Sequence, residues 1–330
     1  MPSGEIVSTA LVTALTGAAR RAAHPGDDSP SCRGACGGGE TVLADRDGGL
    51  VVRHGEAVAK AHDPVTDPAG HRARLAVARH PRLAGILLPP LPLPVRELHE
   101  RPVTAWPYGL PVDPGDPDSA PWEEAAALLA RLHSTPPGEL PGPLPPMRGP
   151  AKAVRAVARM RASAGEHPAA AADAVERAWA GLPAWTRGEA PPPRRDALCH
   201  GDLHLGQLVR HPAPAGPWLL IDIDDLGLGD PAWDLARPAA WYAAGLLAPE
   251  VWQRFLGAYT AAHGPAVDRD GDPWARLDIP ARALTVQSAA LALARAAAER
   301  RAPDEVDEAV IDACDRIACL PPELQRADPS

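Results

Sequence analysis

The residue types best suited to catalysis are concentrated in residues 198–234, where carboxylates stand between short apolar runs. Asp202 and Gln207 share one loop, and Asp222 follows at the end of a second apolar run, residues 218–221. Phosphoryl transfer needs a carboxylate that orients the attacking hydroxyl and two oxygen-bearing side chains that hold magnesium. These three residues can supply those parts, so the pattern indicates phosphoryl-transfer chemistry.

Further acidic residues follow Asp222 along the chain. Asp230 precedes Pro231, the order of a helix N-cap and a first helical position, so we expect structural support from it rather than substrate contact. Asp224 and Asp225 stand beside the predicted metal site. They would either meet an amine or hydroxyl group of a substrate or form a solvated acidic turn, and the sequence leaves both alternatives open.

The composition predicts a globular chain and argues against several classes of partner. The 330 residues, 45% hydrophobic and 23% charged, can bury a sizeable core in one large domain or two smaller ones. A formal net charge of −9 disfavours nucleic acids and anionic membrane surfaces, and no apolar run approaches the length of a membrane span. Five cysteines, an odd number, point to the reducing cytoplasm. Lysine occurs only at positions 60 and 152, so each lysine merits attention.

The N-terminal part is predicted to form a helix followed by short strands. Residues 4–23 are predicted to be helical. Three Val-bearing runs separated by tight turns predict an antiparallel meander at residues 41–45, 50–53 and 57–62. Asp67 and Pro68 then supply a cap and a first-turn proline for a helix that ends near Arg79.

Prolines mark the passage to the second half of the chain. Further strands are predicted at residues 86–88 and 91–95, and residues 103–109 have the composition of an inter-domain connection. Apolar residues then recur at helical spacing. The predicted helices lie near residues 122–132, 151–162, 175–182, 231–246, 249–263, 280–300 and 304–318. The predicted division is an N-terminal lobe at 1–105, a hinge at 106–114 and a helical lobe at 115–330.

Residues 198–234 resemble the catalytic loop of the aminoglycoside phosphotransferase and choline-kinase-like family, whose members are relatives of protein kinases. The family's loop reads His-x-Asp-x-x-x-x-Asn, and a later Ile-Asp replaces the kinase Asp-Phe-Gly. His200, Asp202 and Gln207 occupy the loop positions, and Asp222 occupies the later one. The resemblance implies that Asp202 is the catalytic base, that Gln207 and Asp222 hold Mg²⁺, and that His200 supports the loop.

The resemblance spans about residues 41–263 and implies an α+β, two-lobed protein-kinase-like fold. The small N-terminal lobe would hold a β-sheet, and the larger C-terminal lobe would be mainly helical. Residues 229–234 also match the family's Gly-Asp-Pro-x-x-Asp run. We expect structural roles for Asp230 and Asp234 in that run.

The resemblance also assigns residues of the N-terminal lobe to ATP. By pattern alone Lys60 would be a solvated strand lysine, but in kinase-like folds a lysine on the third strand contacts the α/β-phosphates. Gly48 and Gly49 would let the backbone approach the nucleotide closely. Thr104 and Trp106 would belong to the hinge segment against which adenine binds.

Three positions depart from the family pattern. Gln207 replaces the expected Asn, although residues 205–207, Leu-Gly-Gln, also resemble the loop of maltokinase-like members. The predicted helix at 68–79 contains no Glu, which leaves the partner of Lys60 open. Ile223 stands where kinases have Phe.

Two hypotheses follow, and a third fits less well. The first is an ATP- and Mg²⁺-dependent phosphotransferase that acts on a hydroxyl group of a small polar molecule such as a sugar, an aminoglycoside or an amino alcohol. The alternative is a nucleotide-binding pseudokinase with a regulatory or scaffolding role. A metal-dependent hydrolase would leave Lys60 without a function. The sequence leaves the acceptor, the choice between ATP and GTP, and the oligomeric state open.

Overall fold

The computed structural model describes residues 3–26, 41–46, 49–93 and 97–321. The chain forms two compact units. The first comprises Met1–Pro114, Leu140–Pro143 and Gly206–Ile223, and the second comprises Gly115–Glu139, Leu144–Leu205 and Asp224–Ser330. The predicted division into lobes at 1–105 and 115–330 with a hinge at 106–114 stays a prediction.

The described residues contain the following strands and α-helices. The strands are β1 (Thr41–Arg46), β2 (Gly49–His54), β3 (Ala57–His62), β4 (Glu97–Leu98), β5 (Arg101–Pro107), β6 (Leu110–Pro111), β7 (Ala197–Cys199), β8 (Leu208–Arg210), β9 (Trp218–Leu220) and β10 (Gly227–Gly229). The helices are α1 (Ser3–Ala23), α2 (Pro68–Ala78), α3 (Trp122–His133), α4 (Gly149–Ala162), α5 (Ala169–Ala180), α6 (Ala232–Ala244), α7 (Pro249–Ala261), α8 (Trp274–Glu299) and α9 (Glu305–Ala318). None of these helices is both long and apolar enough to cross a bilayer.

An antiparallel sheet forms the centre of the first unit. Its strands run in the order β1-β2-β3-β5-β4, which includes the predicted meander. Alternation along β2 turns Leu50 and Val52 to one face, where they are buried. Leu11 and Leu15 of α1, one helical turn apart, pack in the same cluster. The burial of these apolar side chains holds α1 against the sheet.

The helix α2 begins where the sequence predicts. The Asp67 carboxylate accepts the N–H groups of Ala69 at 3.1 Å and Gly70 at 2.8 Å, and Pro68 occupies the first turn, where its missing N–H costs nothing. The strand predicted at 86–88 is wrong, and residues 91–93, the described part of the strand predicted at 91–95, form no strand. Only isolated bridges occur there, at Leu87 and Leu91, because the intervening prolines cannot donate to a ladder, and residues 94 and 95 lie outside the described ranges.

The first part of the segment predicted as an inter-domain connection, residues 103–109, is a strand. Residues 103–107 belong to β5, which pairs with β3 on one side and with β4 on the other. Val103 and Ala105 are buried, and Thr104 stands opposite Lys60. Pro and Gly in the segment suggested a linker, but the burial of its apolar residues decides in favour of a strand.

The second unit is mainly helical and encloses one short strand pair. The strand β7 pairs antiparallel with β10, with Cys199 opposite Gly227, so the loop after Cys199 starts beside the turn before Gly227. The long helix α8 packs against α4, α6 and α9 and is buried along most of its length. It begins at Trp274, ahead of the predicted start, and Pro280 lies inside it rather than in its first turn.

Candidate active site

A short hairpin of the first unit sets Gln207 beside Asp222. The strands β8 and β9 are antiparallel, with Leu208 opposite Leu220. One step further, the N–H of Ile221 donates to the carbonyl of Gln207 at 2.9 Å. The ladder therefore brings the two predicted metal ligands together, and Gln207 Nε2 lies 3.4 Å from Asp222 Oδ2. Asp222 has φ of 62°, a left-handed conformation that Asp tolerates better than most residues.

Lys60 is the cation of this cluster. Its side chain is 16% exposed, and Nζ donates to Asp222 Oδ1 at 2.8 Å. The helix α2 contains no acidic residue, so the glutamate that pairs with this lysine in protein kinases has no counterpart there. The structure therefore supplies the partner that the sequence left open, and that partner is a predicted metal ligand.

The Gln207–Asp222 pair has the right chemistry for a hard divalent cation. Mg²⁺ prefers oxygen ligands, and the pair offers one carboxylate and one amide oxygen. The Nε2 to Oδ2 distance of 3.4 Å is long for a hydrogen bond, so the present contact holds the amide only weakly. Rotation about the terminal bond of Gln207 exchanges its amide oxygen and nitrogen. The residues present therefore fit the predicted metal.

Thr104 and Trp106, the predicted hinge residues, lie inside β5. Thr104 Oγ1 accepts the Trp106 Nε1–H at 2.9 Å and lies 2.8 Å from His62 Nε2. All three side chains are buried, so they form an internal polar network of the sheet. Adenine contact by Thr104 and Trp106 stays a prediction.

The structure describes only one of the two glycines that were predicted to approach the nucleotide. Gly49 opens β2 opposite His62, and a Cβ atom there would lie 2.8 Å from the carbonyl oxygen of Ala61. Close approach of β3 is therefore one reason for glycine at position 49. Gly48 lies outside the described residues. The nucleotide contacts of both glycines stay predictions.

In the second unit, Asp234 fixes the loop that carries Asp202. Asp234 lies in the first turn of α6, and its carboxylate accepts the backbone N–H groups of His200 at 2.6 Å and Gly201 at 2.7 Å. Gly201 has φ of 86°, and a side chain there would collide with the backbone of Asp225. The loop conformation therefore depends on the buried carboxylate and on glycine at position 201. His200 is fully buried, and its backbone N–H makes the bond to Asp234.

A buried chain of hydrogen bonds holds Asp234 itself. The N–H of Ala266 donates to Tyr259 Oη at 3.0 Å, so the tyrosine hydroxyl can donate to His133 Nδ1 at 2.8 Å. That leaves the His133 Nε2–H to donate to Asp234 Oδ2 at 2.9 Å. Burial raises the pKa of Asp234, but the bonds from His133 and Gly201 outweigh it, and the pKa is lowered. Asp234 is therefore a charged anchor at neutral pH.

Asp202 is held between two cations of the second unit. Lys152 Nζ lies 2.5 Å from Asp202 Oδ2, and Arg237 Nη2 donates to Oδ1 at 2.8 Å. Arg237 also donates to the carbonyl of Leu203 at 3.1 Å, which fixes the guanidinium. Burial raises the pKa of Asp202, but Lys152 and Arg237 outweigh it and lower the pKa to about 2. The side chain is therefore an ionised hydrogen-bond acceptor in any physiological buffer.

His204 follows Asp202 in the same loop and is neutral at pH 7. Burial lowers the pKa of its imidazole to about 4. The opposing effect of Asp202 is countered by the charges of Arg237 and Lys152. His204 therefore contributes no charge next to Asp202 at neutral pH.

Asp225 is ion-paired, whereas the sequence left the roles of Asp224 and Asp225 open. Lys152 Nζ donates to Asp225 Oδ2 at 2.8 Å, and Arg148 Nε lies 3.6 Å from Oδ1. Only 14% of the Asp225 side chain is exposed, so this residue does not lie in a solvated turn. Asp224 is half-buried in the same short 3₁₀ segment, Ile223–Asp225. Substrate contact by either residue stays a prediction.

Asp230 makes the contacts of a structural residue. Its Oδ1 accepts the N–H of Ala232 at 3.0 Å, in the turn that starts α6. Arg276 Nη2 lies 3.1 Å from both of its oxygens and ties α8 to this turn. These contacts stabilise the helix start that carries Asp234.

Sequence reasoning missed four residues that contact Asp202, Asp234 or Asp230: Lys152, Arg237, His133 and Arg276. Only Lys152 gave a signal, because it is one of two lysines in the chain. The other three lie on regular helices, where their periodic neighbours indicate only an amphipathic segment.

Residues 43–277 match the family model described as the phosphotransferase enzyme family. The chain belongs to this family. The match includes every described residue of the two clusters around Asp202 and Asp222. The match therefore confirms the predicted resemblance and the predicted class of enzyme, a phosphotransferase. The maltokinase-like form of the loop stays a prediction, and no curated protein matches the sequence.

Several solved structures share the fold of this phosphotransferase. A choline kinase from Cryptosporidium parvum is 9% identical with a TM-score of 0.59, and the match covers 94% of each chain. A choline/ethanolamine kinase family protein from Mesorhizobium loti is 15% identical with a TM-score of 0.57, over 89% of this chain and 92% of that one. Spectinomycin phosphotransferase APH(9)-Ia, in complex with ADP and spectinomycin, is 14% identical with a TM-score of 0.53, over 87% and 91%. The predicted kinase-like α+β fold is therefore confirmed.

Proposed function

We propose that this phosphotransferase transfers the γ-phosphoryl group of ATP, with Mg²⁺, to a hydroxyl group of a small polar molecule. The observation that carries the proposal is the cluster of Lys60, Asp222 and Gln207, which joins a cation suited to phosphate oxygens with oxygen ligands suited to a metal. The ADP in the spectinomycin phosphotransferase structure supports an adenine nucleotide as the donor.

Asp202 orients the acceptor hydroxyl by accepting its hydrogen bond. The hydroxyl oxygen forms a bond to the γ-phosphorus while the bond from that phosphorus to the bridging oxygen breaks, and ADP leaves with the electron pair. A carboxylate with a pKa of about 2 is a weak base. The proton therefore moves to Asp202 only after the new P–O bond has made the hydroxyl oxygen strongly acidic, and it passes from Asp202 to water.

The remaining residues position the reacting groups. Mg²⁺, when bound, supplies positive charge that offsets the negative charge of the phosphates. Gln207 and Asp222 are its proposed ligands, and Lys60 holds the Asp222 carboxylate and supplies a further positive charge. Asp234 keeps the Asp202 loop in one conformation through its bonds to the backbone.

The test is ADP formation by the purified full-length protein with ATP and Mg²⁺ across sugars, aminoglycosides, amino alcohols and hydroxy acids. Asp222→Ala and addition of EDTA are expected to abolish acceptor-dependent ADP formation. Acceptor-dependent activity that persists at full rate in Asp222→Ala would contradict the proposed metal site.

We infer also that the protein acts in the cytoplasm and needs no nucleic-acid or membrane partner, as its composition suggests.

A second candidate function is a nucleotide-binding pseudokinase. The observation that favours it is the absence of an acidic residue from α2, so that Lys60 is paired with Asp222 instead. Such a protein would show a thermal shift with ATP and Mg²⁺ but no acceptor-dependent ADP release. The two ion pairs that position the Asp202 carboxylate favour the enzyme, because a pseudokinase has no need of that carboxylate.

A further inference from the structure

One face of α4 carries a row of cations. Arg148 occupies the N-cap position of the helix, and Lys152 and Arg155 follow it at i+4 and i+7, which places the three side chains along one face. The helix sequence, residues 149–162, contains no acidic residue. Arg161 lies on the opposite face, where Glu176 binds its guanidinium at 2.7 Å. The three-residue row is called here the α4 cation row.

Lys152, the centre of the α4 cation row, joins the two carboxylates of the proposed acceptor site in the second unit. Its Nζ lies 2.5 Å from Asp202 and 2.8 Å from Asp225. An ammonium group of this protein therefore already stands where an ammonium group of a cationic acceptor would need to bind. Such an acceptor would have to displace Lys152 and leave it near other cations, which is unfavourable.

Positive charge exceeds negative charge around this pair of carboxylates. Asp202 forms ion pairs with Lys152 and Arg237, and Asp225 forms ion pairs with Lys152 and Arg148. Arg155 adds a further cation, and no ion pair of Arg155 occurs among the residues that the structure describes. Partial burial and the charge of Arg148 lower its pKa, while Asp225 raises it. The α4 cation row can therefore bind an anionic group of a ligand in addition to the carboxylates of Asp202 and Asp225.

From the α4 cation row we infer that the acceptor of this enzyme is a hydroxyl compound that carries an acidic group, a carboxylate or a phosphate. Arg148 and Arg155 bind the acidic group, because guanidinium groups match the geometry of both anions. Lys152 binds both Asp202 and Asp225 and so disfavours the binding of a cationic acceptor to them. Asp202 can still accept the hydrogen bond of the acceptor hydroxyl. The inference rests on the proposed function, because it takes Asp202 as the residue that orients the hydroxyl.

The experiment compares acceptors that share a scaffold and differ in charge. One set is serinol, glycerol, glycerate and glycerol 3-phosphate, and the other is glucosamine, glucose, glucuronate and glucose 6-phosphate. The expected result is that an acid-bearing member has the highest kcat/KM in each set that reacts, about tenfold above the neutral member, from one added charge-assisted contact. The comparison of glycerate or glucuronate with the phosphates distinguishes the two acidic groups.

Variants connect the selectivity to the row. Arg155→Gln is expected to raise the KM for the acid-bearing acceptor about tenfold and to change the KM of the neutral acceptor less than twofold. Arg161→Gln, on the opposite face, is the matched control and should change neither. A rise in the KM for ATP in place of the acceptor KM would show that the row serves the nucleotide and would overturn the inference. Highest kcat/KM for serinol or glucosamine, or for the neutral members, would overturn it as well.

A binding measurement keeps the inference separate from the proposed function. Calorimetry of the full-length protein with glycerol 3-phosphate, glycerate, glucuronate and glucose 6-phosphate needs no turnover. Binding that is lost in Arg155→Gln and kept in Arg161→Gln supports the anion site even if no acceptor is phosphorylated, a result that would contradict only the proposed function. Absence of binding by all four acids overturns the inference, and phosphorylation of a neutral or cationic acceptor would at the same time uphold the proposed function.

Discussion

Lys60 donates a hydrogen bond of 2.8 Å to Asp222, and this bond joins a strand lysine to a predicted metal ligand within the first unit. Protein kinases give the corresponding lysine a glutamate from the neighbouring helix, and α2 contains no acidic residue. In the proposed function one carboxylate thus has two tasks, to hold Lys60 and to bind Mg²⁺. The state of Lys60 and the state of the metal site are therefore linked.

This link predicts the behaviour of substitutions at Lys60. In Lys60→Met the carboxylate of Asp222 loses its cation and the phosphates lose a positive charge, so we expect the KM for ATP to rise about tenfold or more. Lys60→Arg keeps the charge and should retain more of the affinity. Steady-state kinetics at saturating acceptor check this. Equal KM values for ATP in the wild type and Lys60→Met would contradict a role for Lys60 in nucleotide binding.

Removal of the proposed base should separate binding from turnover. Asp202→Asn keeps the size of the side chain but removes the charge that orients the hydroxyl, so we expect kcat to fall by about 10²–10⁴-fold. Affinity for a non-hydrolysable ATP analogue, measured by calorimetry, should change little. Asp173→Asn, on the exposed surface of α5, is the control. A kcat for Asp202→Asn equal to that of the control would refute the assigned role.

The buried anchor of the catalytic loop should contribute strongly to stability. Asp234→Ala leaves the N–H groups of His200 and Gly201 and the His133 ring without their carboxylate partner, so we expect a loss of about 3–5 kcal/mol in the free energy of unfolding. Asp230→Ala removes a partly exposed ion pair and should cost less. Urea unfolding of the two variants measures the difference. An equal loss of free energy of unfolding would show that the buried network does not stabilise the conformation of the catalytic loop.

The pKa of His204 predicts a loss of stability in mild acid. The unfolded chain binds a proton on this residue near pH 6.5, whereas the folded protein does so only near pH 4, so the unfolded state holds more protons between these values. The free energy of unfolding therefore falls as the pH falls from 6.5 to 4, by at most about 3 kcal/mol from this group. His204→Gln should flatten the stability profile in that range. Urea unfolding at pH 7.0 and 4.5 tests this, and identical profiles for the variant and the wild type would exclude His204 as the cause.

The sequence by itself determined the local features of this protein. Asp67 and Pro68 fixed the start of α2, and the short alternating runs fixed β1 to β3, because these signals act between residues close in the chain. Type and spacing also single out Asp202, Gln207 and Asp222 as the candidate site, and their roles stay predictions. Signals of this kind failed at residues 103–107 and at Pro280, where burial within a sheet or a long helix outweighed the local preference.

Only the tertiary structure decided which charges meet. Lys60 and its partner Asp222 are 162 residues apart, Lys152 and Asp225 are 73 apart, and His133 and Asp234 are 101 apart. No periodicity or turn signal connects residues at such separations, since the contacts arise from the packing of whole helices and strands. The sequence therefore determined which side chains could carry out phosphoryl transfer, and the fold decided that Lys152 and Arg237 surround Asp202, because burial makes a carboxylate depend on the cations that packing brings to it.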